Sequence, residues 1–113
     1  METHTRERAA ELFSALGSPS RLRIVELLIE GPRSVGQIVA ATDIGQSGVS
    51  QHLAILTRAG VLLVHPQGAS RIYSVRGQRI GRIVGLIAEF CAVHGLYGAV
   101  EENDAEQAEV QHA

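Results

Sequence analysis

The stretch "DIGQSGVSQHLAILTRAG", residues 43–60, decides how the chain is read. A tight turn over residues 43–46 bends at Gly45, and the helix that follows, residues 47–59, is stopped by Gly60. With Gln46 at zero and about 100° per residue, Val49, Leu53 and Leu56 fall within an arc of about 60° and form a core stripe. Ser47, Gln51, Ala54 and Arg58 occupy an equally narrow arc on the opposite side, with Ser50 beside them. An ordinary solvated helix carries Glu and Lys at several outer positions, and this one carries neither. Its outer face suits the major groove of DNA. Ser, Gly48 and Ala let the backbone approach the bases, and Gln51 can pair bidentately with adenine. The free N–H groups of the first turn, Gln46 to Gly48, can hold a phosphate. His52 lies beside the core stripe, where it either donates to a phosphate or sits half-buried against a neighbouring carbonyl.

Working outward, "SVGQIVAAT" is a short helix over residues 34–42, with Ser34 and Gln37 at capping-box spacing. Ahead of it, residues 3–16 carry Ala9, Leu12, Phe13 and Leu16 at helical spacing and end at Gly17. Residues 18–31 form a second helix, with Ser18 as cap, Pro19 in the first helical position and Gly31-Pro32 closing it. Leu22, Val25, Leu28 and Ile29 are its expected buried face. After Gly60 the pattern changes. "VLLVHPQGASRIYSV", residues 61–75, is two β-rich runs flanking Pro66-Gln67-Gly68-Ala69, a hairpin with a four-residue loop. A long helix returns from Arg79 to His94, with Ile80, Ile83, Val84, Ile87, Phe90 and Cys91 on one stripe. The fold class is mostly α with a β-hairpin wing: four helices, a hairpin and a fifth helix, the third and fourth forming a helix-turn-helix. Residues 1–98 are expected to make one domain. Residues 99–113, acidic and with little to bury, are expected to be a disordered tail.

The charge fits this division. The 113 residues carry a net charge of -2, and every one of the ten basic residues is Arg. Residues 1–100 set those ten against seven acids, a balance of +3, while residues 101–113 hold five acids and no Arg. The local field of the body is therefore basic although the whole chain is acidic. No apolar run approaches the roughly 18 residues a membrane span needs, and the N-terminus lacks the apolar core of a secretory signal, so a cytoplasmic protein is expected. A lone cysteine, Cys91, excludes an internal disulfide.

Taken together, "SPSRLRIVELL", "GVSQHLAIL", "RAGVL" and "GASRIYSV" resemble the ArsR/SmtB family of bacterial winged-helix regulators over about residues 9–93. The most specific parts are Ser47-x-x-Ser50-x-His52-Leu53-x-x-Leu56, then Arg58-Ala59-Gly60, and a wing ending in Arg71-x-Tyr73. The resemblance implies a homodimer paired through its first and last helices, with two recognition helices in successive major grooves of a near-palindromic operator. The apolar stripes on those two helices independently need a partner surface. Pairing would double the body's balance from +3 to +6. Gln46, Ser47, Gly48, Ser50, Gln51, His52 and Arg58 would face DNA from the helix, and Ser70 and Arg71 from the wing.

Members of that family typically release DNA when an inducer, often a metal ion, binds. Here the usual ligand positions are missing. The third helix starts Arg33-Ser34-Val35-Gly36-Gln37 in place of a cysteine box, and the last-helix positions hold Gly77, Arg79, Phe90 and Val93. One residue out of that register stands Cys91-x-x-His94, a spacing that suits nickel or zinc, with His4 as a candidate third ligand. The bland reading makes Cys91 a small core residue and His94 a helix C-terminal cation. Oxidation of Cys91 is a second route to sensing. Catalysis is not expected: Cys91 with His94, or Ser50 with His52, lacks an orienting third residue, an anion loop or a nucleophile elbow. A winged-helix module that binds protein is the other alternative. It should expose apolar anchors on the outer arc, where Ile55 is the only apolar neighbour.

Overall fold

Most helix ends follow from short-range chemistry. Ser18 accepts a hydrogen bond from the Arg21 amide at 3.3 Å and is followed by Pro19 in the first helical turn. Ser34 and Gln37 close a full capping box: the Gln37 amide donates to Ser34 Oγ at 3.2 Å, and the Ser34 amide donates to Gln37 Oε1 at 2.9 Å. The computed structural model describes residues 1–96, in the order α1 (Thr3–Leu16), α2 (Pro19–Glu30), β1 (Arg33–Ser34), α3 (Val35–Ala41), α4 (Gln46–Arg58), β2 (Leu62–Gln67), β3 (Ser70–Val75) and α5 (Arg79–Val93). The expected domain boundary at residue 98 and the expected disorder of residues 99–113 lie outside the described residues. The described chain divides into two compact units, Met1–Gly81 and the segment from Arg82 onward.

The first unit holds the core. Val49, Leu53 and Leu56 of α4 are fully buried, as are Ile24 and Val25 of α2 and Ile38 of α3. Leu16 of α1, Val61, Leu62 and Tyr73 of β3 close it. On α2 the buried face differs from the expected one. Ile24 and Leu27 are buried with Val25 and Leu28, whereas Leu22 is half-buried and Ile29 is exposed. The cause is that α2 packs on β3 and α4 as well as on α1, so a broader and rotated arc of it is covered.

The sheet brings two corrections. It has three antiparallel strands in the order β1-β3-β2, and the two-residue β1 was not expected from sequence; Arg33 pairs with Tyr73 and Ser34 with Ile72. The hairpin loop has two residues, not four. β2 continues through Pro66 and Gln67, and Gln67 pairs with Ser70, which leaves Gly68-Ala69 as the connection. Gly68 has φ +60 and Ala69 does not share that sign, the pattern of a type II′ turn with glycine first. Pro66 is tolerated because β2 is an edge strand.

In α5 no residue is buried. Of the expected stripe, Ile80, Val84 and Cys91 are half-buried, while Ile83, Ile87 and Phe90 are exposed. Leu86 and Val93 are also exposed. No helix among the described residues is long and apolar enough to cross a membrane.

Candidate nucleic-acid interface

The turn between α3 and α4 covers residues 42–45, one earlier than expected, because Thr42 already has extended backbone. Its hydroxyl donates to the Ile38 carbonyl at 2.9 Å and accepts from the Ile44 amide at 3.4 Å, tying the end of α3 to the turn. α4 then starts at Gln46 behind Gly45, and no side chain caps it. Its first-turn amides are therefore left to solvent or to an incoming anion.

The inner stripe of α4 is fully buried, and Gln46, Ser47, Ser50, Gln51, Ala54 and Arg58 are exposed. Ser47, Gln51 and Ala54 share one outer face with Ser50 beside them, while Gln46 is exposed as the first residue of the helix. Arg58 stands apart from them. It ends the helix, about 18 Å along the axis from Gln46 at 1.5 Å per residue. Gly48 has a packing role besides any contact with DNA. A Cβ there would lie 3.0 Å from Ile44 Cγ2, so the small residue lets the turn lie close against the helix.

His52 is half-buried, and its partner is a cation rather than a carbonyl. Arg21 Nη1 lies 3.4 Å from His52 Nδ1. A guanidinium has only donors, so in this contact Nδ1 can only accept. The same guanidinium group donates from Nε to the Ala15 carbonyl at 2.6 Å and from Nη2 to the Ser14 carbonyl at 3.4 Å. Arg21 therefore joins the C-terminal end of α1 to the recognition helix. Sequence reasoning missed it, since the two residues are 31 apart and no local spacing links them.

On the wing, Ser70 pairs with Gln67 and Arg71 with Pro66, and all four are exposed. Arg71 lies two residues from the buried Tyr73 and so projects from the same face of the strand, beyond the core that covers Tyr73.

The metal candidates fall in both units. His4 is exposed in the first turn of α1, in the first unit, whereas Cys91 and His94 belong to the second. Cys91 is half-buried. The His94 ring packs on Phe90, with centroids 4.4 Å apart. Among the described residues no group of three His, Cys, Asp or Glu is placed to hold an ion.

Residues 18–62 match the bacterial regulatory protein, arsR family. An uncharacterised HTH-type transcriptional regulator of Mycobacterium tuberculosis is 39% identical over 85 residues, covering 74% of each chain. The crystal structure of that protein superposes with a TM-score of 0.71 at 35% identity, over 81% of this chain and 92% of the other. A homodimeric winged helix-turn-helix DNA-binding domain from Mycobacterium bovis, solved by NMR, gives a TM-score of 0.73 at 25% identity, over 88% and 91%. A probable mercury resistance operon repressor of Streptomyces lividans is 31% identical over 80 residues, 71% of this chain and 64% of that one. These relatives are regulators, not enzymes.

Proposed function

The chain belongs to the arsR family of bacterial regulatory proteins and is a transcriptional regulator with a DNA-binding winged helix-turn-helix; from that premise we propose that it acts in the cytoplasm as a homodimer on a near-palindromic operator. One observation carries the reading: α4 sets a small, polar outer face, free of acidic side chains, over a fully buried inner stripe. Gln51 and Ser50 read base edges. The amides of Gln46, Ser47 and Gly48, with Nε2 of His52, hold phosphates on the helix side. Ser70 and Arg71 hold the backbone from the wing, and Arg58 adds positive charge at the far end of the helix. Among the described residues, the only large apolar side chain of α4 beside this face is Ile55, 36% exposed, too little for a protein-docking anchor cluster.

Homodimerisation is supported by the M. bovis neighbour and by apolar side chains this chain leaves uncovered. Phe13 of α1 is 67% exposed, and on α5 Phe90 is 57% exposed and Val93 71%. Site selection from a random DNA pool tests the reading. It should enrich two inverted half-sites about one helical turn, 10–10.5 bp, apart. Binding that enriches no sequence at any salt concentration would sink it.

The effector we propose is a metal ion, nickel or zinc, bound through Cys91 and His94. One helical turn separates them, and the S. lividans relative is named for mercury resistance. Four-coordinate ions need more than these two donors, so a second protomer must complete the set. Calorimetric titration of the full-length dimer with Ni2+ or Zn2+ should give saturable binding that Cys91→Ser with His94→Ala abolishes. Equal affinity in that variant removes this part of the proposal.

A further inference from the structure

Three arginines, of which only Arg58 is among the DNA-facing residues, line one cleft at the other end of α4. Arg8 of α1, Arg58 at the end of α4 and Arg76 just after β3 line a cleft of about 320 Å³ with Leu12, Thr57 and Gly60. All of these belong to the first unit. No carboxylate lines the cleft among the described residues. Arg8 is paired with Glu11 at 3.0 Å, but both side chains are more than half exposed, so the pair exchanges readily for a better anion. The C-terminus of α4 presents a partial negative charge of roughly half a unit, which three guanidinium groups outweigh. The carbonyls of that end are also occupied: those of Ile55, Leu56 and Thr57 accept from the amides of Ala59, Val61 and Gly60. One further group is left over. Thr57 Oγ1 is buried and has no hydrogen-bond partner among the described residues. A larger cleft at the start of α2, of about 450 Å³, differs in kind, because its Arg23 is opposed by Asp43.

We propose that the Arg8–Arg58–Arg76 cleft is a binding site for a phosphoryl-type oxyanion, and that its occupation competes with DNA. Planar guanidinium forks match tetrahedral oxyanions, and the three arginines supply the donors themselves, since Thr57 Oγ1 is sealed from solvent. The volume lies at the low end of small-ligand pockets, roughly 300–1,000 Å³, which admits a phosphate ester or pyrophosphate and not only a single ion. Leu12 gives it an apolar wall. Arg58 links the cleft to the recognition helix, so an anion held there takes a cation away from the DNA backbone. The competition rests on the regulator reading above; the anion site itself does not.

The test uses the full-length protein with pyrophosphate as probe and chloride at matched ionic strength as control. Calorimetry without DNA should show saturable binding. Arg8→Ala and Arg76→Ala should each weaken it tenfold or more with unchanged melting temperature, and Arg23→Ala should leave it intact. Pyrophosphate should also release selected operator DNA from the native protein and not from Arg76→Ala. Absence of saturable binding, an equal loss in Arg23→Ala, or binding that leaves DNA affinity unchanged overturns the proposal. If Arg8→Ala and Arg76→Ala flatten the salt dependence of operator binding while free pyrophosphate is not bound, the cleft holds a phosphate of the DNA backbone and the effector site is refuted. A protein that binds no DNA at all refutes the regulator reading instead, and the calorimetric arm still decides the cleft.

Discussion

Replacing Arg71 with Ala isolates the electrostatic part of DNA recognition. Arg71 is exposed near the wing tip, and its guanidinium makes no hydrogen bond or ion pair among the described residues. Its loss should therefore leave folding stability within about 0.5 kcal/mol of the native protein. A dimer carries two copies, so two phosphate contacts disappear. Each is worth roughly 0.9 in the slope of log affinity against log salt, and the slope should become shallower by about 1.8. Between 50 and 200 mM salt that difference amounts to about 12-fold: the native dimer loses that much more affinity than the variant over the same interval. Fluorescence anisotropy of a labelled selected site, titrated at four or five KCl concentrations, measures it. The weakening should be uniform across operator variants, because phosphates carry no sequence information. An unchanged slope refutes the phosphate role of the wing, and a loss confined to one operator variant shows that Arg71 reads a base.

Gln51→Ala should do the opposite, compressing the spread of affinities across operator variants by about 1–3 kcal/mol per contacted base while the salt slope stays the same; an unchanged ranking and spread would show that Gln51 reads nothing. Leu53 is fully buried, so Leu53→Ala should lower unfolding stability by about 2–5 kcal/mol in urea titrations, and a smaller loss would mean that the core collapses around the gap. Ser34→Ala removes the Ser34 Oγ half of the α3 capping box and should cost about 1 kcal/mol by the same measurement.

Sequence periodicity found the elements whose neighbours are local. The Val49–Leu53–Leu56 stripe, the Ser34–Gln37 box and the Ser18-Pro19 start each depend on spacings of three or four residues, and each stands as expected. Features set by distant contacts were not legible. β1 is only two residues long and exists because β3 offers it an edge. Pro66 and Gln67 have the composition of a turn, yet pairing with Arg71 and Ser70 draws them into the strand. Ile29 fits the α2 stripe by spacing, but the surfaces that cover α2 lie on another side. The reverse holds for Ile87 and Phe90, which stand on the expected stripe and are exposed. Their apolar character was readable, and nothing within the first unit was needed to know that they want a partner. The Arg8–Arg58–Arg76 cleft gathers residues from three separate segments, and no motif in the sequence announces it.

The wing can be regarded as a ruler whose zero mark is Tyr73. That side chain is held in the core, and Arg71, two residues toward the tip, therefore shares its side of the strand. An insertion of one residue between them would turn Arg71 to the opposite face while leaving the core intact. An insertion of two would restore its face and carry it outward by about 6.6 Å, at roughly 3.3 Å per residue. Regulators built on this hairpin can lengthen or shorten their grip on DNA only in such steps, so closely related wings should differ in strand length by even numbers on the stretch between anchor and cation.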